Sequence, residues 1–300
     1  MELDWLEDFL ALVQTGNFSR AAEFRNITQP AFSRRIRALE QWIGAQLFDR
    51  DAQRVQLTPA GKKVWPEIQD IARRAYAARD HARETASAAH STLRFLSTHV
   101  LSTTFFPGWM RSIETTFILD LPMSLIADNM AGCEAAMERG EAHFLLCHHH
   151  PAARIALSTQ HFESIAVGSD TLIAASAPGE DGAPLHHLND AGESAAFLDY
   201  SPTSGMGRIV EAAAPRPSAS MPAFVSPLAS VLFAMARNGK GVAWLPLSLI
   251  ERALERGQLV RAAGPDTDIP IEIRLFRPTA AQSLVADKFW ASALPAATDS

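Results

Sequence analysis

Apolar residues recur along the first fifty positions with the period of an α-helix. Leu3, Leu6, Leu10 and Val13 stand at helical spacing, and Trp5, Phe9 and Leu12 widen that stripe into a face. Gly16-Asn17 ends the predicted helix. Phe18-Ser19 opens a second one, with Ser19 expected as the cap that accepts an orphan amide. Ala21 and Ala22 are small enough for close helix crossing. Asn26-Ile27-Thr28 reads as a short turn, and Thr28 caps a third helix with Gln29 and Pro30 in its first turn, where proline forfeits no hydrogen bond. On that helix Phe32, Ile36, Leu39 and Ile43 form an inward stripe, while Pro30, Ser33, Arg34 and Arg37 share a different, polar face. Gly44 stops it. Residues 47–50 and 54–57 then read as two short strands around a polar tip. The pattern predicts a winged helix-turn-helix over residues 1–58.

The period changes at Thr58-Pro59, a cap followed by a first-turn proline. Val64, Ile68, Ile71, Ala75, Ala78, Ala82, Thr85 and Ala89 alternate four and three apart, which makes an a/d seam of nearly four heptads. A helix over 59–90 is marginal alone and needs a partner, so a dimerising linker is expected. Pro66 lies inside it and predicts a kink or a later start.

From Leu93 onward short apolar runs alternate with helical segments. Strands are predicted over 93–97, 123–127 and 144–147, with helices over 105–116 and 130–139. A second set follows, with strands over 165–167, 172–175, 196–198, 223–225 and 241–245 and helices over 206–214 and 228–237. A strand over 269–276 and a helix over about 280–293 return to the first set. Such alternation implies parallel strands joined by crossovers. The fold class is therefore α plus α/β, with a two-lobed domain over 91–300: lobe I at about 91–160 and 269–300, lobe II at about 161–268.

Composition narrows the function. Apolar residues make up 47% of the 300, enough to bury cores. No apolar run reaches the roughly 18–20 residues a membrane span needs. Asp4, Glu7 and Asp8 interrupt the N-terminus, so no secretory signal is expected. Cys133 and Cys147 make no disulfide framework, which fits a cytoplasmic protein, and their spacing does not support a redox pair. The net charge of −6 excludes a wholly basic binder. Its distribution is uneven: residues 20–37 carry Arg20, Arg25, Arg34, Arg35 and Arg37 against Glu23 alone. Phosphate binding needs such a local patch rather than a high global charge. Arg in the first turns of a groove-facing helix can pair with guanine, and Gln or Ser with other base edges. Arg50 and Arg54 in the wing would reach the flanking backbone or the minor groove.

Phe18-Ser19-Arg20-Ala21-Ala22, the run Thr28-Gln29-Pro30-Ala31-Phe32-Ser33-Arg34-Arg35-Ile36-Arg37-Ala38-Leu39-Glu40, Gly44 with Phe48-Asp49-Arg50, and Leu57-Thr58-Pro59-Ala60-Gly61 together resemble the LysR-type transcriptional regulators. The resemblance implies that Ser19, Thr28, Gln29, Pro30, Ser33, Arg34 and Arg37 meet double-stranded promoter DNA. It implies a homodimer through the linker helix, assembled as a dimer of dimers, with RNA polymerase as a partner. The two lobes resemble the family's effector domain, which is similar to periplasmic binding proteins. A small-molecule effector is then expected between the lobes. Thr98, His99, Ser102, Ser201, Ser204 and Ser226 are its candidate ligands, although Ser and Thr at such points also serve as plain helix caps.

Asp199 to Arg208, Gly241 to Pro246 and Phe162-Glu163-Ser164 resemble the branch that includes hypochlorite-responsive regulators. There an oxidant is a plausible signal, and Met206 becomes a redox candidate, since methionine oxidises to a polar sulfoxide. A methionine opening a buried helix is equally a natural core residue. His148-His149-His150 after Cys147, with His143 nearby, invites a metal reading. Consecutive residues on a strand point to opposite faces, so no metal or other cofactor is expected, although Cys147 with His149 remains a testable zinc pair. No G-x-S-x-G, H-E-x-x-H, Walker or Rossmann glycine motif is present, and no enzyme is expected. The alternative is a solute-binding or redox-sensing protein that acts on a protein partner without reading DNA.

Overall fold

The computed structural model describes residues 2–49, 55–86, 92–114, 122–188, 196–214, 222–280 and 282–294. The chain divides into two compact units, one running from the N-terminus through the long helix and the other holding nearly all of the rest.

In the first unit, α1 (Leu3–Thr15), α2 (Phe18–Phe24) and α3 (Gln29–Ile43) surround one core. Phe9, Leu12, Phe32, Ile36 and Leu39 are fully buried there, each contributing roughly 1.5–3 kcal/mol by leaving water. Gly16 and Gly44 stop α1 and α3 in the left-handed region, at φ 59° and 79°. The cap of α2 is not Ser19. Asn17 sits two positions earlier than the expected cap, and its side chain accepts from the amides of Ser19 and Arg20. An Asn carboxamide reaches both amides, which leaves the Ser19 hydroxyl exposed on the first turn. The wing is shorter than expected: β1 (Phe48–Asp49) pairs antiparallel with β2 (Gln56–Leu57). Its tip, with Arg50 and Arg54, lies outside the described residues.

Thr58 ties the wing to the long helix α4 (Pro59–Ala86). Its hydroxyl accepts from Gly61 N at 3.0 Å and donates to Gln46 O at 2.8 Å. The helix runs on through Pro66. Ile68 is buried and Ile71 exposed on it, and Ala89 of the expected seam lies outside the described residues.

The second unit is built on one nine-stranded sheet of described strands. Its elements are β3 (Leu93–Thr98), α5 (His99–Thr104), α6 (Phe106–Glu114), β4 (Met123–Asp128), α7 (Met130–Glu138), β5 (Phe144–His149), β6 (Phe162–Ser176), β7 (Phe197–Tyr200), α8 (Gly205–Ala213), β8 (Phe224–Ser226), α9 (Ala229–Arg237), β9 (Val242–Pro246), α10 (Leu247–Glu255), β10 (Val260–Arg261), β11 (Ile269–Pro278) and α11 (Leu284–Ala293). The strand order is β4-β3-β5-β11-β6-β9-β7-β8, with β10 beside β6. Strands β3, β4 and β5 are mutually parallel, as are β7, β8 and β9. The long strands β6 and β11 run antiparallel to each other and link the two groups.

The sequence divides β6 into two short strands around Gly168, but the structure makes it one. Antiparallel pairing with β11 is continuous there apart from a register shift at Ile273/Arg274. Gly168 weakens a strand on propensity alone. Here it makes room for the Phe105 ring, which a Cβ would meet at 2.7 Å. The helix expected over 105–116 is α6, and a separate α5 precedes it. Pro107 has no amide to continue α5 and fits instead in the first turn of α6. Helix α10 was absent from the expected elements, although Leu247, Ile250 and Leu254 carry its stripe.

Candidate functional site

Two surfaces carry chemistry, one in each unit. In the first unit the arginine run separates by partner. Arg25 pairs with Glu7, and its Nε lies 2.8 Å from Asp8 of α1. Burial disfavours its charge, but hydrogen bonds and Coulomb attraction from Asp8 and Glu7 outweigh that, and the guanidinium is held protonated more firmly than usual. Arg35 reaches Asp4 at 3.1 Å and Asp8 at 3.5 Å. Asp8 is fully buried, so these two arginines neutralise a carboxylate inside the three-helix core. They fix α1 against α2 and α3 and are not offered to a ligand.

Arg34 and Arg37 stand exposed on α3, as do Thr28, Gln29 and Pro30. The Thr28 side chain makes no capping bond. Gln29 Nε2 donates to Ser33 Oγ at 3.1 Å, which orders the polar edge of that face. The first turns of α3 therefore present two guanidiniums, an amide and hydroxyls on one side. Those groups match base edges and phosphates in a major groove.

In the second unit, a cavity of about 410 Å³ including its open mouth lies between the ends of the two parallel strand groups. Thr98 and His99 reach it from the end of β3, Asp128, Asn129 and Met130 from the end of β4, and His148 from β5. The other wall is Ser204, Gly205 and Met206 at the start of α8, with Pro227 and Ala229 at the start of α9. Thr98 Oγ1 is buried there with no hydrogen-bond partner. Ser204 Oγ accepts from Gly207 N at 3.4 Å, while Gly205 and Met206 occupy the first turn, whose amides have no carbonyl one turn back. Such amides attract an anion. The walls touch beside the cavity: a Cβ on Gly205 would lie 3.3 Å from Met130 Cβ, so glycine permits that approach.

His148 is 3% exposed, and its Nε2 lies 3.3 Å from Asp170 Oδ2. Asp170 also accepts from Ser248 Oγ at 2.5 Å and from the amides of Ser248 and Thr171. Burial opposes its ionisation, but the hydrogen bonds from His148 and Ser248 outweigh it and hold the carboxyl below its usual range. His148 is thus a buried, oriented ring in the cavity wall.

Of the residues expected to line this site, Thr98, His99 and Ser204 come together, with Met206 beside them. Ser102, Ser201 and Ser226 do not line it. Ser102 Oγ donates to His99 O, Ser201 shares a hydrogen bond with Thr203, and Ser226 Oγ accepts from Leu228 N. Each caps a local turn, as short hydroxyls do. Sequence reasoning missed Asp128, Asn129, Met130 and His148. The signal for Asp128-Asn129 was available, because polar residues at the end of a parallel strand point to such a crevice. His148 stood out in the sequence only as part of a histidine run read for metal, although it too lies near the end of a parallel strand.

Cys133 and Cys147 fall in one buried cluster, both wholly inaccessible. Burial first, then the Asp128 charge, pushes the Cys133 thiol up to about 12, and complete burial raises Cys147 further. His143 Nδ1 accepts from Arg94 N at 3.0 Å, a structural role. Among the described residues no group of three His, Cys, Asp or Glu side chains is placed to hold a metal ion.

Residues 3–62 match the model of the bacterial regulatory helix-turn-helix protein, lysR family, and residues 86–297 match the LysR substrate binding domain. The HTH-type transcriptional regulator YjiE of Escherichia coli (strain K12) is 30% identical over 292 residues, covering 97% of this chain and 93% of that protein. Among solved structures, Vibrio fischeri DarR in complex with DNA is 29% identical, covers 98% of both chains and superposes with a TM-score of 0.54. Full-length HypT from Salmonella typhimurium, described as a hypochlorite-specific LysR-type transcriptional regulator, is 28% identical over 97% of this chain and 96% of that one, with a TM-score of 0.54.

Proposed function

The chain belongs to the LysR family of DNA-binding transcriptional regulators with an effector-binding domain, and on that premise we propose which residues read the promoter and which receive the signal. Thr28, Gln29, Pro30, Ser33, Arg34 and Arg37 on α3 face the major groove. Ser19 on the exposed first turn of α2 contacts backbone, and Arg50 and Arg54 of the wing tip reach flanking phosphates. The observation that carries this reading is the division of the arginines. Arg25 and Arg35 are consumed by α1 carboxylates, whereas Arg34 and Arg37 stand exposed beside Gln29 and Ser33.

The protein works as a homodimer, paired into a tetramer, so that two or more recognition helices read spaced half-sites. The signal enters the cavity of the second unit. A small acid fits it, with one anionic group at Thr98 Oγ1 and the opening amides of α8. A ligand that bridges the two walls favours one lobe arrangement over another, and by linkage it shifts promoter affinity or contact with RNA polymerase. Met206 in that wall, with Met130 opposite, gives an oxidant a route to the same end, because a sulfoxide is polar where the thioether was not.

The test is binding of the full-length protein to DNA upstream of its own reading frame, followed by fluorescence anisotropy across a salt series. Specific, salt-dependent binding that Arg34→Ala weakens supports the reading, and its absence sinks it. Hypochlorite treatment of wild type and Met206→Ile, in the same assay, decides the oxidant route. A response that survives in Met206→Ile removes that methionine from it.

A further inference from the structure

The two walls of the effector cleft differ in what they offer a guest. Among the described residues no lysine or arginine lines it, and its one carboxylate is Asp128 at the end of β4. Asp128 Oδ1 accepts from the Asn129 amide at 2.6 Å and from Asn129 Nδ2 at 3.0 Å. Oδ2 has no hydrogen-bond partner among the described residues, and Gly132, lacking a Cβ, leaves it room over the first turn of α7.

His148 adds a second acceptor on the same wall. Asp170 is a carboxylate at neutral pH and already accepts from Ser248 and Thr171. The neutral imidazole therefore donates to it through Nε2, which leaves Nδ1 bare. Nothing among the described residues donates to that Nδ1. The opposite wall offers donors. The amides of Gly205 and Met206, in the first turn of α8, meet no acceptor among the described residues. Thr98 Oγ1 is buried without a partner beside them.

A bare acid satisfies only half of this arrangement. Its carboxylate suits the α8 amides and the Thr98 hydroxyl. It also brings a second negative charge beside Asp128, and it leaves two acceptors out of water without donors, which opposes binding. We propose that the effector is a compact zwitterion, an α-amino acid, with its ammonium on Asp128 Oδ2 and His148 Nδ1 and its carboxylate at Thr98 Oγ1 and the opening amides of α8. The proposal rests on the reading of the cleft as the effector site and makes Asp128 and His148 the residues that set its specificity. Asp170 is a positioning residue, because it acts through the His148 ring. An ammonium neutralises Asp128 and supplies donors to both acceptors. Its two charges are held by different lobes, so the guest ties the walls together.

The experiment is calorimetry and thermal shift on the full-length protein with three matched series. These are alanine, serine and valine in both hands, the corresponding 2-hydroxy acids, and the parent acids with hydrogen at that carbon. At least one amino acid is expected to bind about tenfold or more tighter than its hydroxy and parent acids, the usual gain from a charge-assisted contact. Asp128→Asn keeps an acceptor for the Asn129 amide, and its unfolding midpoint without ligand checks its fold. This variant should lose the gain and bind the parent acid as tightly as wild type or tighter, since the like charge is gone. A merely structural Asp128 would instead weaken all three series together. Equal affinity across the series in wild type, or a gain that persists in Asp128→Asn, overturns the zwitterion while the cleft reading stands. The wild-type comparison decides the matter even where the variant is unstable. If no member of any series binds, or if Thr98→Val leaves the binding of all of them unchanged, it is the cleft reading that fails.

Discussion

Arg208 of α8 grips Glu134 of α7 with two parallel hydrogen bonds, Nη1 to Oε1 at 2.7 Å and Nη2 to Oε2 at 2.8 Å. The two helices belong to opposite walls of the effector cleft. Glu134 is 5% exposed and Arg208 24%, so the members of the pair are not equivalent. Arg208→Ala strands a buried carboxylate with only Ala156 N as a donor, whereas Glu134→Ala leaves a guanidinium that can still reach water. Arg208→Ala is therefore expected to cost about 2–4 kcal/mol and Glu134→Ala clearly less, read from urea unfolding. Arg208→Lys should not restore the difference, because an ammonium cannot form the parallel pair. Equal costs for the two alanine variants would count against this account.

The arginines of α3 should separate into two phenotypes. Arg34→Ala is expected to weaken specific DNA binding by about 1–3 kcal/mol, with its unfolding midpoint unchanged. Arg35→Ala should instead destabilise the first unit, because it removes partners from Asp4 and from the buried Asp8. Anisotropy and thermal unfolding on both variants check this. If Arg35→Ala binds DNA poorly at full stability, the assignment of that side chain to the core is wrong.

Asp170 makes stability depend on acid pH. Its folded-state pKa is depressed below the ordinary 3.8. A depressed carboxyl contributes stability that is present above its unfolded pKa and is lost as pH falls through the folded value. The loss therefore lies below about pH 4. In Asp170→Asn the fall in unfolding free energy between about pH 4 and 2 is expected to be shallower than in wild type, alongside a uniform cost from the weakened His148 and Ser248 contacts. An unchanged slope would show that the hydrogen bonds to Asp170 do not favour its charge.

Both cysteines should be inert in the native protein. The thiolate is the reactive form, and burial holds both thiols protonated at neutral pH. Iodoacetamide at about pH 8 is expected to label neither Cys133 nor Cys147 until the protein is unfolded, when both react. Stoichiometric labelling of folded protein would contradict the burial of the cluster.

Local pattern was enough to read the first unit, because a helix-turn-helix is built from contacts close in sequence. Helical stripes, the stops at Gly16 and Gly44 and the proline in the first turn of α3 all act within a few residues. The cap of α2 was misplaced by two positions because Asn17 and Ser19 are both good caps, and only the backbone geometry chooses between them. The alternation of strands and helices likewise predicted the two-lobed sheet, yet not the unbroken β6. Its continuity comes from pairing with β11, about a hundred residues away.

What the sequence determined by itself was the family, the N-terminal helix-turn-helix and the presence of an effector domain, because these rest on periodic and locally capped residues. Tertiary structure decided which charges are free and which are spent. Arg34 and Arg35 are neighbours in the chain, yet one is exposed and the other turns back to Asp4 and Asp8 of α1. Thr98, Asp128, His148 and Ser204 meet only because β3, β4 and β5 end, and α8 begins, at the same crevice. No spacing rule links residues that far apart, and the three serines that the sequence offered equally are drawn into local caps. The acceptors of Asp128 and His148 opposite the opening amides of α8 are of the same kind. They face one another because β4 and β5 end where α8 begins, a relationship that burial and strand pairing create and composition does not encode.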